Sequence, residues 1–277
     1  MAFIEFHNVS YEVNGAHILS NVNLEIEKKE FVAVLGANGS GKSTLAKLMN
    51  GLLLPTSGEV FVMGLNTKNA EDGQKIRRNV GIVFQNPDNQ IVAAMVEDDV
   101  AFGPENLNVD DEEIERRIDS SLGLVGLIDK RKTSPSALSG GQKQKVAIAG
   151  ALAMDTEALI LDEATTMLDP KSREEILNTI IDLNKKKNIT IVYITHFTEE
   201  ILKADKVIVL DKGKIAAATT PNELFLNSEK FNEWNLEAPF AHRIAEKLRK
   251  KGIELPMGIY TEDMLIEEIK KDCRKFK

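Results

Sequence analysis

The chain has 277 residues, 43% apolar and 28% charged, which suits one large globular domain or one domain with an appendage. Its formal net charge of −8 lacks the positive excess of a nucleic-acid binder, and its single cysteine, Cys273, excludes an internal disulfide and fits a reducing compartment. The start, Met1-Ala2-Phe3-Ile4-Glu5-Phe6, has no basic region before an apolar core, so no secretory signal is expected, and apolar runs such as 91–96 and 146–154 fall far short of the ~18 residues of a membrane span.

Residues 3–9 alternate apolar and polar, as do Val22, Leu24 and Ile26, with the turn signal Asn14-Gly15 between them. The chain therefore opens with antiparallel strands. Phe31 to Leu35 is an apolar, β-rich run and predicts a buried strand. It leads into Gly36-Ala37-Asn38-Gly39-Ser40-Gly41-Lys42-Ser43-Thr44, a G-x-x-x-x-G-K-[ST] phosphate loop, and then into helix-forming residues that stop at Gly51. Gly36, Gly39 and Gly41 let the backbone curl so that several N–H groups point at one anion, and the helix N-terminus adds partial positive charge. Lys42 is placed to reach β- and γ-phosphates and Ser43 to offer a hydroxyl to Mg²⁺.

Pro55-Thr56-Ser57-Gly58 is a turn before a strand at 59–63, and Val80 to Phe84 is a short strand ending at Gln85. Helical sequence dominates from there to about 155. Asp110 with Glu113 predicts a capping box, and Ile114, Ile118 and Leu122 share one core-facing stripe. Leu159-Ile160-Leu161 and 189–194 read as buried parallel strands joined by a helix over 171–185, a βαβ unit. Residues 207–218 read as a hairpin. After Pro221 short helices follow, with one apolar face on Phe240, Ile244 and Leu248 and another on Leu265, Ile269 and Cys273, giving an appendage of about 55 residues.

Four further features carry chemistry. Asp162 and Glu163 end an apolar strand, where an acid can hold Mg²⁺ and its neighbour can orient or deprotonate water, although two acids also commonly start a helix. Leu138-Ser139-Gly140-Gly141-Gln142 precedes a helix, with Ser139 as N-cap and two glycines exposing backbone N–H groups, a second anion site or a plain cap. His196 follows a strand, a place for a γ-phosphate contact or for a structural histidine. Gln85 also ends a strand and can touch Mg²⁺ or the attacking water, or simply lie on the surface.

The order phosphate loop, Gln85, Leu138 to Gln142, Asp162-Glu163, Asp169, His196 resembles the ATP-binding-cassette ATPases over about residues 1–220. The resemblance implies an α/β fold: a RecA-like P-loop core with an antiparallel β part, a helical subdomain at about 86–156 within an ATPase domain at 1–221, and a small α-helical extension at 222–277. It implies that Tyr11 stacks on adenine, that ATP and Mg²⁺ are the cofactors, and that Ser43, Gln85 and Asp162 serve the metal. Glu163, His196 and Gln85 are the implied catalytic residues, and Asp169 belongs to a loop near the subunit contact. It also implies that two cassettes face head to tail, so that Leu138 to Gln142 acts on the partner's ATP.

Phe84-Gln85-Asn86-Pro87-Asp88-Asn89-Gln90, then 96–106, and Asp162-Glu163-Ala164-Thr165-Thr166-Met167-Leu168-Asp169-Pro170 are similar to the A1-type ATPases of energy-coupling-factor transporters. Ala164, Met167 and Lys145 depart from the commoner cassette pattern and suggest one member of an asymmetric pair. That resemblance implies a peripheral protein on the cytoplasmic face of the cell membrane. Its partners would be a second cassette (the same or another chain), a transmembrane coupling subunit and a substrate-capture subunit, importing a vitamin or a cobalt or nickel ion. A soluble cassette ATPase acting on nucleic acid or ribosomes is the alternative; its usual coiled-coil insertion or second cassette is not visible, and no nucleic-acid partner is expected. A regulator that closes on ATP without turnover is a third reading, against which Glu163 and His196 both speak.

Overall fold

The structure, a computed structural model, describes residues 2–275. Strands β1 (Ile4–Val13) and β2 (Ala16–Ile26) pair antiparallel around Asn14 and Gly15, whose positive φ values of 50° and 79° suit a tight hairpin. Strand β3 (Phe31–Leu35) enters the phosphate loop, and helix α1 (Lys42–Met49) leaves it. Strands β4 (Ser57–Val62) and β5 (Leu65–Asn66) complete a four-stranded sheet of order β2-β1-β4-β5. Helix α2 (Ala70–Asn79), capped by the Asn69 side chain, runs into β6 (Val80–Val83). Three helices follow: α3 (Val96–Asn106), α4 (Asp111–Leu124) and α5 (Gly140–Ala153). Then come β7 (Ala158–Asp162), α6 (Pro170–Lys187), β8 (Thr190–Thr195), β9 (Lys206–Asp211) and β10 (Lys214–Thr219). Helices α7 (Pro221–Leu226), α8 (Phe240–Lys250) and α9 (Glu262–Lys275) end the described chain.

The second sheet has the order β10-β9-β3-β8-β7-β6; its strands run parallel except β10, which pairs antiparallel on β9 as the expected hairpin. Register decides what this sheet presents. Leu35 pairs with Thr195, Asp162 with Ile194, and Val83 with Leu161. The carboxyl ends of four strands are thus level, and Gly36, Glu163, His196 and Phe84-Gln85 leave the sheet at one edge, where ligands bind in open parallel sheets.

Burial on both faces explains the unbroken apolar runs. Phe31, Ala33, Leu35, Leu159, Leu161, Ile191 and Tyr193 pack with residues of α3 to α6. Their neighbours Val32, Val34, Ile160, Val192 and Ile194 face α1 and the antiparallel sheet. A third, small core lies in the extension around Ala241, Ala245, Leu255, Ile259 and Leu265.

The structure differs from the sequence-based expectation at four places. Asp110 is the N-cap of α4 but its side chain makes no capping bond. Glu113 instead accepts from Arg117 Nε at 2.8 Å and pairs with Arg116 at 2.8 Å, because a guanidinium is a stronger donor to carboxylate than a neutral N–H. On α8 the buried residues are Ala241, His242 and Ala245, and Phe240 is 53% exposed. The small alanines let the helix approach Leu255 and Ile259 closely and are buried deepest, while Ile244 and Leu248 of the predicted face pack, partly buried, against the same core. Of the other predicted face Leu265 is buried and Ile269 is exposed, and the side chain of Cys273 lies outside those described. Finally, Leu224, Phe225, Phe231 and Leu236 belong to the larger core, so burial runs on past residue 221.

Candidate functional site

The phosphate loop is shaped by close backbone approach. Gly39 and Gly41 have φ of 79° and 104°. A Cβ on Gly36 would lie 2.4 Å from the Leu210 carbonyl oxygen, and one on Gly41 would lie 2.8 Å from the Leu19 side chain. Leu19 is the register partner of Tyr11, a half-buried residue of β1, so the strand pair bearing Tyr11 flanks the loop. Gly41 caps α1 without a side chain, leaving the first-turn N–H groups free for an anion. Asn38 and Gly39 are exposed at the loop tip, and the hydroxyl of Ser40, 4% exposed, has no hydrogen-bond partner among the described residues. Thr44 lies in the first turn of α1 and is half-buried.

Lys42 is 4% exposed, and its ammonium donates to the carbonyls of Gly36 at 2.9 Å and Ala37 at 3.0 Å. It also lies 3.1 Å from Glu163 Oε1. Next to it, Ser43 Oγ donates to Asp162 Oδ1 at 3.0 Å. Burial pushes the Asp162 carboxyl above its usual range, with the Ser43 bond acting in the opposite sense. Glu163 sits in left-handed backbone at φ 52° and donates its N–H to the Ile194 carbonyl at 3.0 Å. A branched or bulky residue is strained there, so the turn is held by tertiary contacts. His196 Nδ1 lies 3.8 Å from Glu163 Oε2, too far for a hydrogen bond, and is buried without a hydrogen-bond partner among the described residues. The adjacent Phe197 ring lies against the imidazole, centroids 4.1 Å apart.

Gln85 is half-buried just beyond β6. The bonds that shape its loop come from residues to which sequence reasoning assigned no role. Gln90 Oε1 accepts from Phe84 N at 2.7 Å, and its Nε2 donates to the Ile82 carbonyl at 3.3 Å. Gln144 Nε2 donates to the Phe84 carbonyl at 3.0 Å, and Lys143 Nζ to Asp88 at 2.6 Å, both from α5. Gln90 and Asp88 stand within the stretch 84–90 quoted above, but no motif marks Lys143 or Gln144, which only the fold brings against the loop.

Ser139 is the expected N-cap, and with Gln142 it forms a full capping box, the Gln142 N–H donating to Ser139 Oγ at 3.3 Å and the Ser139 N–H to Gln142 Oε1 at 3.0 Å. Leu138 is buried while Ser139 and Gly140 are exposed. A Cβ on Gly141 would lie 2.8 Å from Ser172 Cβ, and one on Gly140 3.7 Å from Leu168. These contacts run to the start of α6 rather than to the phosphate loop. There Asp169, an exposed N-cap, accepts from the Lys171 and Ser172 N–H groups at 3.1 Å and from Ser172 Oγ at 2.6 Å, bonds that hold its carboxyl below the usual range. Met167, just before it, is 63% exposed.

The arrangement therefore has two parts: a cluster of phosphate loop, Asp162, Glu163 and His196 at the sheet edge, and an exposed, glycine-rich helix start elsewhere. The adjacent hydroxyl and carboxylate oxygens of Ser43 and Asp162 suit a hard divalent cation. Among the described residues no group of three or more His, Cys, Asp or Glu could hold a metal.

Residues 19–166 match the ABC transporter family. The chain is 49% identical to the energy-coupling factor transporter ATP-binding protein EcfA1 of Caldanaerobacter subterraneus subsp. tengcongensis over 99% of this chain and 100% of that one. It is 48% identical to EcfA1 of Clostridium novyi over 96% and 97%. Among solved structures it resembles cbiO1 from Clostridium perfringens, described as part of the ABC transporter complex cbiONQ, with a TM-score of 0.78 and 36% identity over 90% of this chain and 99% of that one. It also resembles the dimeric ATP-binding cassette MJ0796 bound to ADP and Pi, with a TM-score of 0.70 and 32% identity over 79% and 98%.

Proposed function

The chain belongs to the ABC transporter family, among the energy-coupling factor ATP-binding proteins, and from that premise we propose that it is the ATP-binding and ATP-hydrolysing subunit of an energy-coupling factor importer. The observation that carries the chemistry is the cluster in which Ser43 meets Asp162 at 3.0 Å and Lys42 meets Glu163 at 3.1 Å beside the phosphate loop. It binds ATP, works as one of a pair of cassettes, and sits at the cytoplasmic face of the membrane through membrane partners. None of its described helices is long and apolar enough to cross a membrane itself.

The backbone N–H groups of residues 38–44 cradle the phosphates, and the Lys42 ammonium turns from its own loop's carbonyls toward the β- and γ-phosphates. Ser43 and Asp162 would hold Mg²⁺ with help from Gln85, and the ion would supply positive charge to offset that of the phosphates. Glu163 takes the proton of the attacking water, and His196 holds the γ-phosphate through its ring nitrogen. Tyr11 stacks on the adenine. Leu138 to Gln142 offers its helix N-terminus to the nucleotide of the facing cassette, and Asp169 lies at that contact. Division into an ATPase domain at 1–221, a helical subdomain at 86–156 and an extension at 222–277 that holds the two cassettes together completes this reading.

On this reading a helix of the coupling subunit docks in the groove lined by Leu52, Phe84, Val92, Phe102 and Met154. Val92 is 66% and Phe102 53% exposed there, apolar surface that an isolated domain gains nothing by presenting. The test is purification of the tagged chain from gently solubilised native membranes. Recovery of a related ATPase and a multi-helix membrane protein, with ATP-dependent uptake by the reconstituted complex, is the expected result. Recovery of soluble partners only, or turnover stimulated by DNA or ribosomes, would overturn the transport role. The recovered capture subunits would identify the cargo, a vitamin or a cobalt or nickel ion.

A further inference from the structure

Behind the Lys42–Glu163 pair lies a buried polar network outside the roles assigned above. Its centre is Glu200, 4% exposed, in the turn after β8. One carboxyl oxygen accepts from Thr165 Oγ1 at 2.8 Å; the other accepts from the hydroxyl of Thr195. Thr165 Oγ1 is also 2.8 Å from Tyr193 Oη. Since the one hydroxyl hydrogen of Thr165 goes to Glu200, Tyr193 donates to Thr165. Burial, and then the charge of Glu200, push the Tyr193 phenol well up, so it keeps the proton that it donates. Thr195 Oγ1 in turn accepts from the Phe197 N–H at 3.0 Å. Arg173 of α6 lies with Nε 3.6 Å from Glu200 and its guanidinium 3.9 Å over the Phe197 ring.

The placement of the two threonines gives the network its meaning. Thr165 is two residues beyond Glu163, in a turn closed by the Thr166 N–H on the Glu163 carbonyl at 3.1 Å. Thr195 immediately precedes His196. Both are 1% exposed, so neither can exchange its bond for water. A buried carboxyl group is costly unless its oxygens are satisfied. An apolar side chain of the same size would fill this space without that cost, so packing alone does not call for Glu200. What the carboxyl does, beside the Thr165–Tyr193 bond and the Glu163 N–H on the Ile194 carbonyl, is bridge directly the two segments that carry the groups facing the γ-phosphate position.

We propose that Glu200 is a positioning residue for ATP hydrolysis: by gripping Thr165 and Thr195 it sets the gap between Glu163 and His196, and Arg173 extends the same grip to the start of α6. This rests on the assignment of Glu163 and His196 above. Loss of the grip leaves the phosphate loop, and hence nucleotide binding, intact while the water-activating and phosphate-holding groups drift apart. A displacement of about 1 Å at a reacting centre costs up to about 100-fold in rate.

The test uses the full chain in complex with its membrane partners, comparing wild type with Glu200→Gln, Thr165→Val and Thr165→Ser. Turnover per site and affinity for MANT-ATP are read separately. The expected result is a fall in kcat of at least about 10-fold for Glu200→Gln and Thr165→Val, MANT-ATP affinity within about 2-fold of wild type, and recovery of most of kcat in Thr165→Ser, which restores the hydroxyl. Turnover at the wild-type rate in Thr165→Val overturns the inference. So does a loss of turnover and of MANT-ATP binding in parallel, the signature of a merely structural role. If Glu200→Gln does not fold, the Val and Ser variants of Thr165 decide alone. A wild-type complex that turns over no ATP would overturn the hydrolysis reading itself, and with it this inference.

Discussion

Glu163 carries its carboxylate from a backbone conformation that L-residues seldom adopt, and spends one oxygen on Lys42 while the other faces His196. Replacing it by glutamine preserves shape and hydrogen bonding but removes the base. Glu163→Gln is expected to cut ATP turnover by at least about 100-fold while nucleotide still binds and the cassette pair stays closed on it. Unchanged turnover would remove Glu163 from that role. Asp162 gives a second prediction. Burial raises its pKa, so the charge it carries at neutral pH costs native stability in the free chain. Asp162→Asn is therefore expected to raise Tm by a few degrees without nucleotide and to lose most of the stabilisation that MgATP gives the wild type. Thermal unfolding with and without MgATP checks both halves, and a fall in Tm of the free chain would contradict the argument. The motifs named Lys42, Ser43, Asp162, Glu163 and His196 individually; that Lys42 pairs with Glu163 was not legible, because 121 positions separate them in a chain numbered 42 and 163.

At the scale of an element, one guanidinium ties together two helices of the segment 96–153 that also share the larger apolar core. Arg131 meets Glu97 at 2.7 Å and Asp119 at 2.7 Å, and also Glu115, so it ties the first turn of α3 to α4. These bonds raise its pKa further, and the backbone of the same loop supports α3 through Val96 N on Thr133 O at 3.1 Å. Arg131→Gln leaves three carboxylates facing one another. The expected cost is about 1–2 kcal/mol in denaturant unfolding, smaller at high salt because the cluster is partly exposed. A variant as stable as wild type would show the pairs contribute nothing. This tie was not legible in the chain, since nothing in an acidic run tells which carboxylate a distant arginine will find.

For the whole molecule, the three apolar clusters decide where the chain can be cut. Phe225 and Phe231 are fully buried in the larger core, whereas α8 and α9 rest on a core of their own. Truncation after Ala238 is expected to leave a folded, nucleotide-binding cassette that no longer holds its partner cassette. Truncation after Pro221 removes Leu224, Phe225, Phe231 and Leu236, each worth about 2–4 kcal/mol, and should give an insoluble chain. Equal solubility of the two truncations would refute this division.

Local chemistry was legible in the chain. A phosphate loop needs its glycines and lysine within a few residues, an N-cap needs a residue such as Ser139 just ahead of its helix, and a buried parallel strand needs an unbroken apolar run such as 31–35; each signal is complete within one short stretch. Helix α2 escaped notice because only Gly73 and Ile76 of its ten residues are buried, too few to make a periodic stripe. What only the tertiary structure decided is which distant groups share a space. The level ends of β3, β7 and β8 bring Gly36, Asp162-Glu163 and His196 together, and the same register buries Glu200 between Thr165 and Thr195. Such pairings depend on strand order and register, which are set by burial over two whole sheet faces and leave no mark at any single position.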